Sequence, residues 1–348
     1  MPTVAAYATQ SATDDLKPFS IERRECTAND VQIDISHCGV CHSDIHMARS
    51  EWGMSVYPMV PGHEIIGRVS QIGANVTNFK VGDLVGVGCL VDSCHDCSSC
   101  HEDLEQYCDG KVLTYGSEDT RHGGITYGGY SKQITVAQDF VLRVPENLDT
   151  QGVAPILCAG ITMCSPLRHW QVKAGDKVGI IGLGGLGHMG VKLANALGAE
   201  VVMITRSPAK GEDAKALGAH SVLLSNDAAA MAAQAGSFDL LINTIPNAHD
   251  MNPYVNLLKR DATMVIVGVL TPVPEVNCGP MIFGRRSIAG SLIGGIAETQ
   301  ELLDFCGQHN ITADVEVINI DNINHAYSRM IDGDVKYRFV IDMASLGA

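Results

Sequence analysis

The chain has 348 residues, 18% of them charged, 5% aromatic and 46% hydrophobic, which at roughly 150 residues per domain makes about two globular domains with a sizeable core. A net charge of −15 argues against a general affinity for nucleic acid or anionic membrane but leaves room for a small basic pocket. The absence of a run of about 18 apolar residues excludes a transmembrane helix, and twelve cysteines behind a start (MPTVAAYATQ) unlike a signal peptide read as metal ligands and reduced thiols of a cytoplasmic protein.

Up to about Leu148 the sequence shows short alternating strands, such as Val31–Ile35, between Gly-, Pro- and Cys-rich loops. From about Ala174 a βαβ rhythm sets in. Lys177–Gly182 reads as a buried strand, Gly187–Leu197 as a helix and Glu200–Ile204 as the next strand. Pro208–Leu217, Ser221–Leu224, Asp227–Ala235 and Phe238–Ile242 continue the alternation. A helix at Pro253–Leu258 and strands at Thr263–Gly268 and Ser287–Ile293 complete about six strands. Elements at Glu298–Cys306, Asp321–Ile331 and Tyr337–Asp342 close the chain. The expected domains are 1–152, rich in β-structure and carrying a lobe at 92–110; 153–292, an α/β nucleotide domain; and 293–348, a return to the first.

Gly182-Leu-Gly184-Gly185-Leu186-Gly187 is a GxGxxG motif between a predicted strand and a predicted helix. Gly182 permits a tight turn, Gly184 lets a pyrophosphate approach the backbone, and Gly187 lets helix and strand pack closely. The helix N-terminus then offers free N–H groups to the anion. Glycines also serve ordinary turns, but the flanking elements make this a dinucleotide site. About twenty residues on, where an acid usually binds the adenosine ribose, stand Thr205, Arg206, Ser207 and, further along, Lys210. Two cations and two hydroxyls in place of a carboxylate favour NADP(H) over NAD(H); solvated surface charges are the plainer alternative for Arg206 and Lys210.

Cys94, Cys97, Cys100 and Cys108 put four thiols within fifteen residues, a spacing that satisfies a closed structural zinc site. An iron–sulfur cluster or oxidised pairs are alternatives. Cys41, His63 and Cys158 could supply two thiolates and one imidazole with a fourth position open, the donor set that alcohol dehydrogenases exemplify. Singly, each reads as a buried cysteine or a structural histidine.

Gly62–Val76 carries GHExxGxxxxxGxxV, and with the cysteine lobe, LCAG and GxGxxG in that order the chain resembles zinc-containing medium-chain alcohol dehydrogenases. CGVCHSDIH, SEWGMSVYPMVPGHE, LCAGITMCSPLRHW and GSLIGGIAETQELLDF are similar to its NADP-dependent cinnamyl alcohol dehydrogenase and aldehyde reductase branch. The resemblance implies a GroES-like catalytic domain, a Rossmann doubly wound parallel sheet, and two zinc ions: one catalytic at Cys41, His63 and Cys158, one structural at Cys94, Cys97, Cys100 and Cys108. It implies that Glu64 stands beside the catalytic ion, that Asp44 orients His63, and that Ser43 passes a proton through the nicotinamide ribose to His46. His42 would face the cofactor pyrophosphate, while Trp52, Met54 and Leu292 would line the substrate pocket. The implied reaction interconverts primary alcohols and aldehydes, aromatic, cinnamyl-type or aliphatic, in a homodimer or dimer of dimers. An NAD-dependent polyol dehydrogenase and a non-catalytic zinc- and NADPH-binding relative are the competing readings. Thr114–Gly129 matches no pattern but is expected near the active-site mouth, and Cys26, Cys38, Cys89, Cys164, Cys278 and Cys306 are expected to be small core residues.

Overall fold

The computed structural model describes residues 3–347. The chain divides into two compact units, one running to Cys158 and resuming at Gly294, the other spanning Ala159–Ile293. The first begins with strands β1 (Thr3–Ala8), β2 (Lys17–Glu22) and β3 (Asp30–Val40) and helix α1 (His42–Ala48). Strands β4 (Ile65–Ile72), β5 (Leu84–Val87) and β6 (Leu90–Asp92) follow, then the short helix α2 (Ser98–His101) and strand β7 (Val112–Leu113). Strands β8 (Gln133–Ala137) and β9 (Leu142–Arg143) and helix α3 (Thr150–Val153) lead into a 3-10 turn at Ala154–Leu157. In β3, Val31, Ile33 and Ile35 are buried while Asp34 is exposed, the period-2 pattern of a strand with one wet face. Each such aliphatic side chain contributes about 1.5–3 kcal/mol by burial.

The second unit opens with helix α4 (Ala159–His169) and then alternates strand and helix: β10 (Lys177–Ile181), α5 (Gly185–Ala196), β11 (Glu200–Thr205), α6 (Pro208–Ala216), β12 (Ser221–Leu224), α7 (Ala228–Ala233), β13 (Phe238–Asn243), α8 (Asn252–Val255), β14 (Leu258–Ile266), α9 (Cys278–Gly284) and β15 (Ser287–Gly290). The six strands pair in the order β12-β11-β10-β13-β14-β15, all parallel. This is the doubly wound arrangement, with the order reversing at β10. Strand interiors such as Val178–Ile181 are wholly buried, as a sheet covered on both faces requires. The expected helix Pro253–Leu258 ends early, because Leu258 already pairs with Phe238 and starts β14.

The first unit then closes with α10 (Ile296–His309), β16 (Val315–Asn319), α11 (Ile323–Asp332) and β17 (Arg338–Asp342). Its main sheet has the order β16-β17-β3-β4-β5-β9, with β8 also on β3. Strand β3 is thus the hub, and both β4 and β17 lie antiparallel against it. No single helix among the described residues is long and apolar enough to cross a membrane.

Candidate active site

The site is assembled at one end of β3. Strand β3 runs directly into α1 through Cys41, and the pairing of Cys38 with Ile65 on β4 sets His63 and Glu64 beside it. Gly39 N–H donates to the Glu64 carbonyl at 2.9 Å. A Cβ on Gly39 would lie 1.9 Å from Glu64 Oε2, so this glycine makes room for the carboxylate. On the other side, Val40 pairs with Phe339 of β17, which delivers the preceding residue, Arg338. Cys158 arrives from the 3-10 turn Ala154–Leu157; Gly88 lets Leu157 approach closely, its Cβ position being 3.2 Å from the Leu157 carbonyl oxygen.

Together these elements bring ligand atoms of Cys41, His63, Glu64 and Cys158 within 4.8 Å of one another, all buried. Cys41 and Cys158 Sγ are 3.9 Å apart. A disulfide needs about 2.05 Å, whereas two sulfurs bound to one tetrahedral zinc at about 2.3 Å each stand about 3.8 Å apart. The spacing therefore fits zinc. Electrostatics agree: the Cys158 hydrogen bond, aided by Arg338 and His63, holds the Cys41 thiol well below its ordinary range, while that same bond, the neighbouring Cys89 and burial push Cys158 up. Two thiolates this close repel one another, and a bound cation would relieve that repulsion.

Around the cluster, Asp44 Oδ2 accepts from Cys41 N–H at 2.8 Å and Oδ1 from Gly62 N–H at 3.0 Å and His63 Nδ1 at 3.1 Å. With Nδ1–H given to Asp44, His63 keeps Nε2 for an ion. Burial pushes the Glu64 carboxyl up to about 7, against the pull of Arg338, whose buried guanidinium donates to Oε1. Glu64 Oε2 has no hydrogen-bond partner among the described residues. Ser43 Oγ lies 3.7 Å from Cys41 Sγ. His46, half-buried, holds Glu51 Oε2 at 2.5 Å from Nδ1 and stacks at 5.1 Å on Trp52. His42 is exposed at the start of α1, and Trp52 and Met54 are exposed beyond that helix. Leu292 is exposed just after β15 in the second unit.

The four lobe cysteines likewise lie within 4.8 Å of one another, in the loop between β6 and β7. Cys94–Cys100 and Cys97–Cys100 sulfurs are 3.9 and 3.6 Å apart, again the spacing of one tetrahedral ion. Four sulfurs this close leave no space for the inorganic sulfides of a cluster.

In the second unit the GxGxxG loop joins β10 to α5. Gly182 has φ +94°, the left-handed conformation that favours glycine, and a Cβ on Gly187 would meet the Gly182 carbonyl oxygen at 2.0 Å. At Gly184 a Cβ would meet nothing, so its face is open to a pyrophosphate. Gly185 and Leu186 form the first turn of α5, half-buried. Thr205, at the tip of β11, accepts from Ser207 N–H at 3.2 Å, and Ser207 Oγ accepts from Lys210 N–H at 3.4 Å. Both hydroxyls keep their own proton to donate, and Arg206 and Lys210 are exposed beside them.

Sequence reasoning missed several groups. Arg338 is a cation at the head of an apolar run, Phe339–Ile341, a signal that the alternation rule could have flagged. Glu51 and Tyr115 carried none. Thr114–Gly129 folds back on itself through a Glu118–Ile125 bridge, and Tyr115 at its root is buried against Met47 and Met59. Two of the cysteines expected in the core are not there in full: Cys278 is exposed at the start of α9, and Cys26 is half-exposed. Cys89 is half-buried with its thiol against Cys158.

Residues 27–146 match the alcohol dehydrogenase GroES-like domain and residues 185–308 the zinc-binding dehydrogenase family. The chain is 54% identical over 345 residues to the aldehyde reductase YahK of Escherichia coli (strain K12), covering 99% of both chains. It is 50% identical over 348 residues to the NADP-dependent alcohol dehydrogenase C 1 of Mycolicibacterium smegmatis, again covering 99% of each. A solved cinnamyl alcohol dehydrogenase from Sorghum bicolor superposes with a TM-score of 0.96 at 44% identity, covering 99% of each chain. The chain belongs to the zinc-containing medium-chain alcohol dehydrogenase family.

Proposed function

We propose that this protein is a cytoplasmic NADP(H)-dependent enzyme that interconverts primary alcohols and aldehydes, with one zinc ion at Cys41, His63 and Cys158 and a second at Cys94, Cys97, Cys100 and Cys108. The observation that carries the reading is the convergence of Cys41, His63 and Cys158, far apart in the chain, on one buried point. When bound, zinc supplies a Lewis acid to the substrate oxygen and the nicotinamide supplies or accepts the hydride.

The protein's own groups do the rest. Asp44 fixes the tautomer and aim of His63. The Arg338 guanidinium offsets part of the negative charge of Cys41, Cys158 and Glu64. We assign to Ser43 Oγ, 3.7 Å from Cys41 Sγ, the uptake of the alcohol's proton in oxidation and its return in reduction. With Nδ1–H held by the Glu51 carboxylate, His46 presents Nε2 as the acceptor at the outer end of that path. Gly182, Gly184, Gly185, Leu186 and Gly187 would hold the pyrophosphate. Thr205, Arg206, Ser207 and Lys210 would hold the 2′-phosphate that distinguishes NADP(H). Trp52 and Met54, exposed beyond α1, would supply apolar surface to the substrate.

For the assembly we expect a homodimer or dimer of dimers. The outer edge of β15 is unpaired within the sheet, and Phe283 and Ile282 on the neighbouring α9 are 94% and 75% exposed.

A panel of aromatic, cinnamyl and aliphatic aldehydes assayed with NADPH and NADH, with zinc measured on the same sample, tests the reading. Faster turnover with NADPH and two zinc ions per chain are expected, as is weaker NADPH binding in Arg206→Ala with NADH little changed. No aldehyde-dependent oxidation of either nucleotide, or equal loss of both in Arg206→Ala, would overturn it.

A further inference from the structure

Arg23 follows β2 and is 8% exposed, yet its three hydrogen bonds within the described residues all go to carbonyl and hydroxyl oxygens. Nη1 donates to the Tyr127 carbonyl at 2.6 Å, and Nη2 to the Gly128 carbonyl at 2.8 Å and to Ser131 Oγ at 2.7 Å. The Ser131 hydroxyl in turn donates to the Gly128 carbonyl at 2.8 Å. A buried cation is costly unless its donors are satisfied, and here the rigid fork of the guanidinium spans two successive carbonyls.

Those carbonyls belong to peptide units whose opposite ends hold the approach to His63. In the Tyr127–Gly128 peptide the N–H donates to Val60 O at 2.8 Å, and in the Gly128–Gly129 peptide it donates to Gly62 O at 2.8 Å. Tyr130 N–H adds a bond to Pro61 O at 3.0 Å. The two backbones touch directly: a Cβ on Gly128 would meet Pro61 O at 2.3 Å and Gly62 O at 2.4 Å. A peptide unit is planar, so turning its carbonyl turns its N–H with it. Gly128 and Gly129 have no Cβ to restrict rotation, which leaves the guanidinium and the Ser131 hydroxyl as the restraint on the carbonyl side. At the far end, Gly62 gives its own N–H to Asp44 Oδ1 at 3.0 Å, and the next residue, His63, meets the same oxygen at 3.1 Å.

We propose that Arg23 is a positioning residue for the metal centre: its guanidinium fixes the two peptide planes that hold residues 60–62, and through them the imidazole of His63. The inference rests on the reading of Cys41, His63 and Cys158 as a zinc site. Arg23→Lys keeps the charge but replaces the planar fork by a point donor, so it should loosen the Cys₂His ion and leave the cysteine lobe untouched.

The test uses the whole protein loaded with cobalt in both sites, whose visible bands distinguish a Cys₂His centre from a Cys₄ one, and follows release to a chelator. Arg23→Lys should shift the bands of the Cys₂His ion and release it up to about tenfold faster, the low end for loss of an outer partner of a ligating histidine. The Cys₄ bands and release should not change, and the Gly129 N–H should exchange with solvent faster than in the parent. A purely structural role would lower the unfolding midpoint and leave both sets of bands and both release rates as in the parent. That result, or equal acceleration of both ions, would overturn the proposal while leaving the metal reading intact. Uptake of only the Cys₄ ion by the unaltered protein would overturn both. Should Arg23→Lys not fold, Ser131→Ala decides, because it removes the hydroxyl between Nη2 and the Gly128 carbonyl without touching a charge. A shift confined to the Cys₂His bands then supports the proposal, and unchanged bands overturn it.

Discussion

Replacing Arg338 by Met should destabilise the protein by about 3–5 kcal/mol, the usual cost of stripping one partner from a buried ion pair. Arg338 and Glu64 side chains are 3% and 0% exposed, and Arg338 Nη1 stands 4.0 Å from Cys41 Sγ. At an effective dielectric of about 20, two unit charges 4 Å apart interact by about 4 kcal/mol. Loss of the guanidinium leaves the Glu64 carboxylate facing a thiolate, with Oε2 already lacking a hydrogen bond. The cost depends on pH with a definite sign. Burial already raises the Glu64 carboxyl to about 7, and without Arg338 it rises further. A carboxyl with a folded-state pKa above its unfolded value loses stability as pH increases between the two. The deficit of the variant should therefore be larger at pH 8 than at pH 6. Neutralising both partners in Arg338→Met/Glu64→Gln should recover most of the loss, since an intact buried pair is worth little against an uncharged replacement. Urea unfolding followed by far-ultraviolet circular dichroism, at fixed zinc and protein concentration, measures all of these. A single variant within about 1 kcal/mol of the parent, or a double variant no more stable than the single, would refute Arg338 as the counter-charge.

The glycine loop makes an opposed pair of predictions. Gly184→Ala should fold with unchanged stability, because its Cβ meets nothing, yet weaken NADPH binding, measured by nucleotide fluorescence. Gly187→Ala should instead lower the unfolding midpoint, because its Cβ would sit 2.0 Å from the Gly182 carbonyl oxygen. Ser43→Ala should lose most turnover while keeping both zinc ions; unchanged kcat would remove Ser43 from the proton path. At acid pH, Asp30 should contribute to unfolding. Burial pushes its carboxyl up, but bonds from Arg24 and Thr27 outweigh this and hold it below the ordinary value. Its stabilisation is present above the unfolded pKa of about 3.9 and is lost as pH falls through the folded one. Asp30→Asn should accordingly show a shallower loss of stability below pH about 4 than the parent.

How far the sequence carried the account depended on whether the signal was local. The α/β unit was legible because buried parallel strands and GxGxxG are written in consecutive residues; Ser221–Leu224 agrees to the residue. Strand β16 was not, since Val315–Asn319 is largely exposed and lacks clean alternation. The cysteine lobe was visible as a spacing. The Cys41, His63 and Cys158 grouping was not, and only resemblance joined Cys158 to the others; in the fold, the β3–β4 register and the turn at Ala154–Leu157 do so. Arg338 stayed hidden because its place beside Cys41 is fixed by the β17–β3 register, some 300 residues away in sequence. Glu51 and Tyr115 are likewise set by tertiary contacts. Exposure was misjudged at Cys278, where a helix start on the surface overrides the usual burial of cysteine.

The central claim is tested most directly by diffraction from crystals of the protein at energies on either side of the zinc absorption edge. The account predicts an anomalous peak about 2.3 Å from Cys41 Sγ and Cys158 Sγ and about 2.0–2.1 Å from His63 Nε2, with a second peak among the four lobe sulfurs. A disulfide between Cys41 and Cys158, or an anomalous peak confined to the lobe, would contradict it.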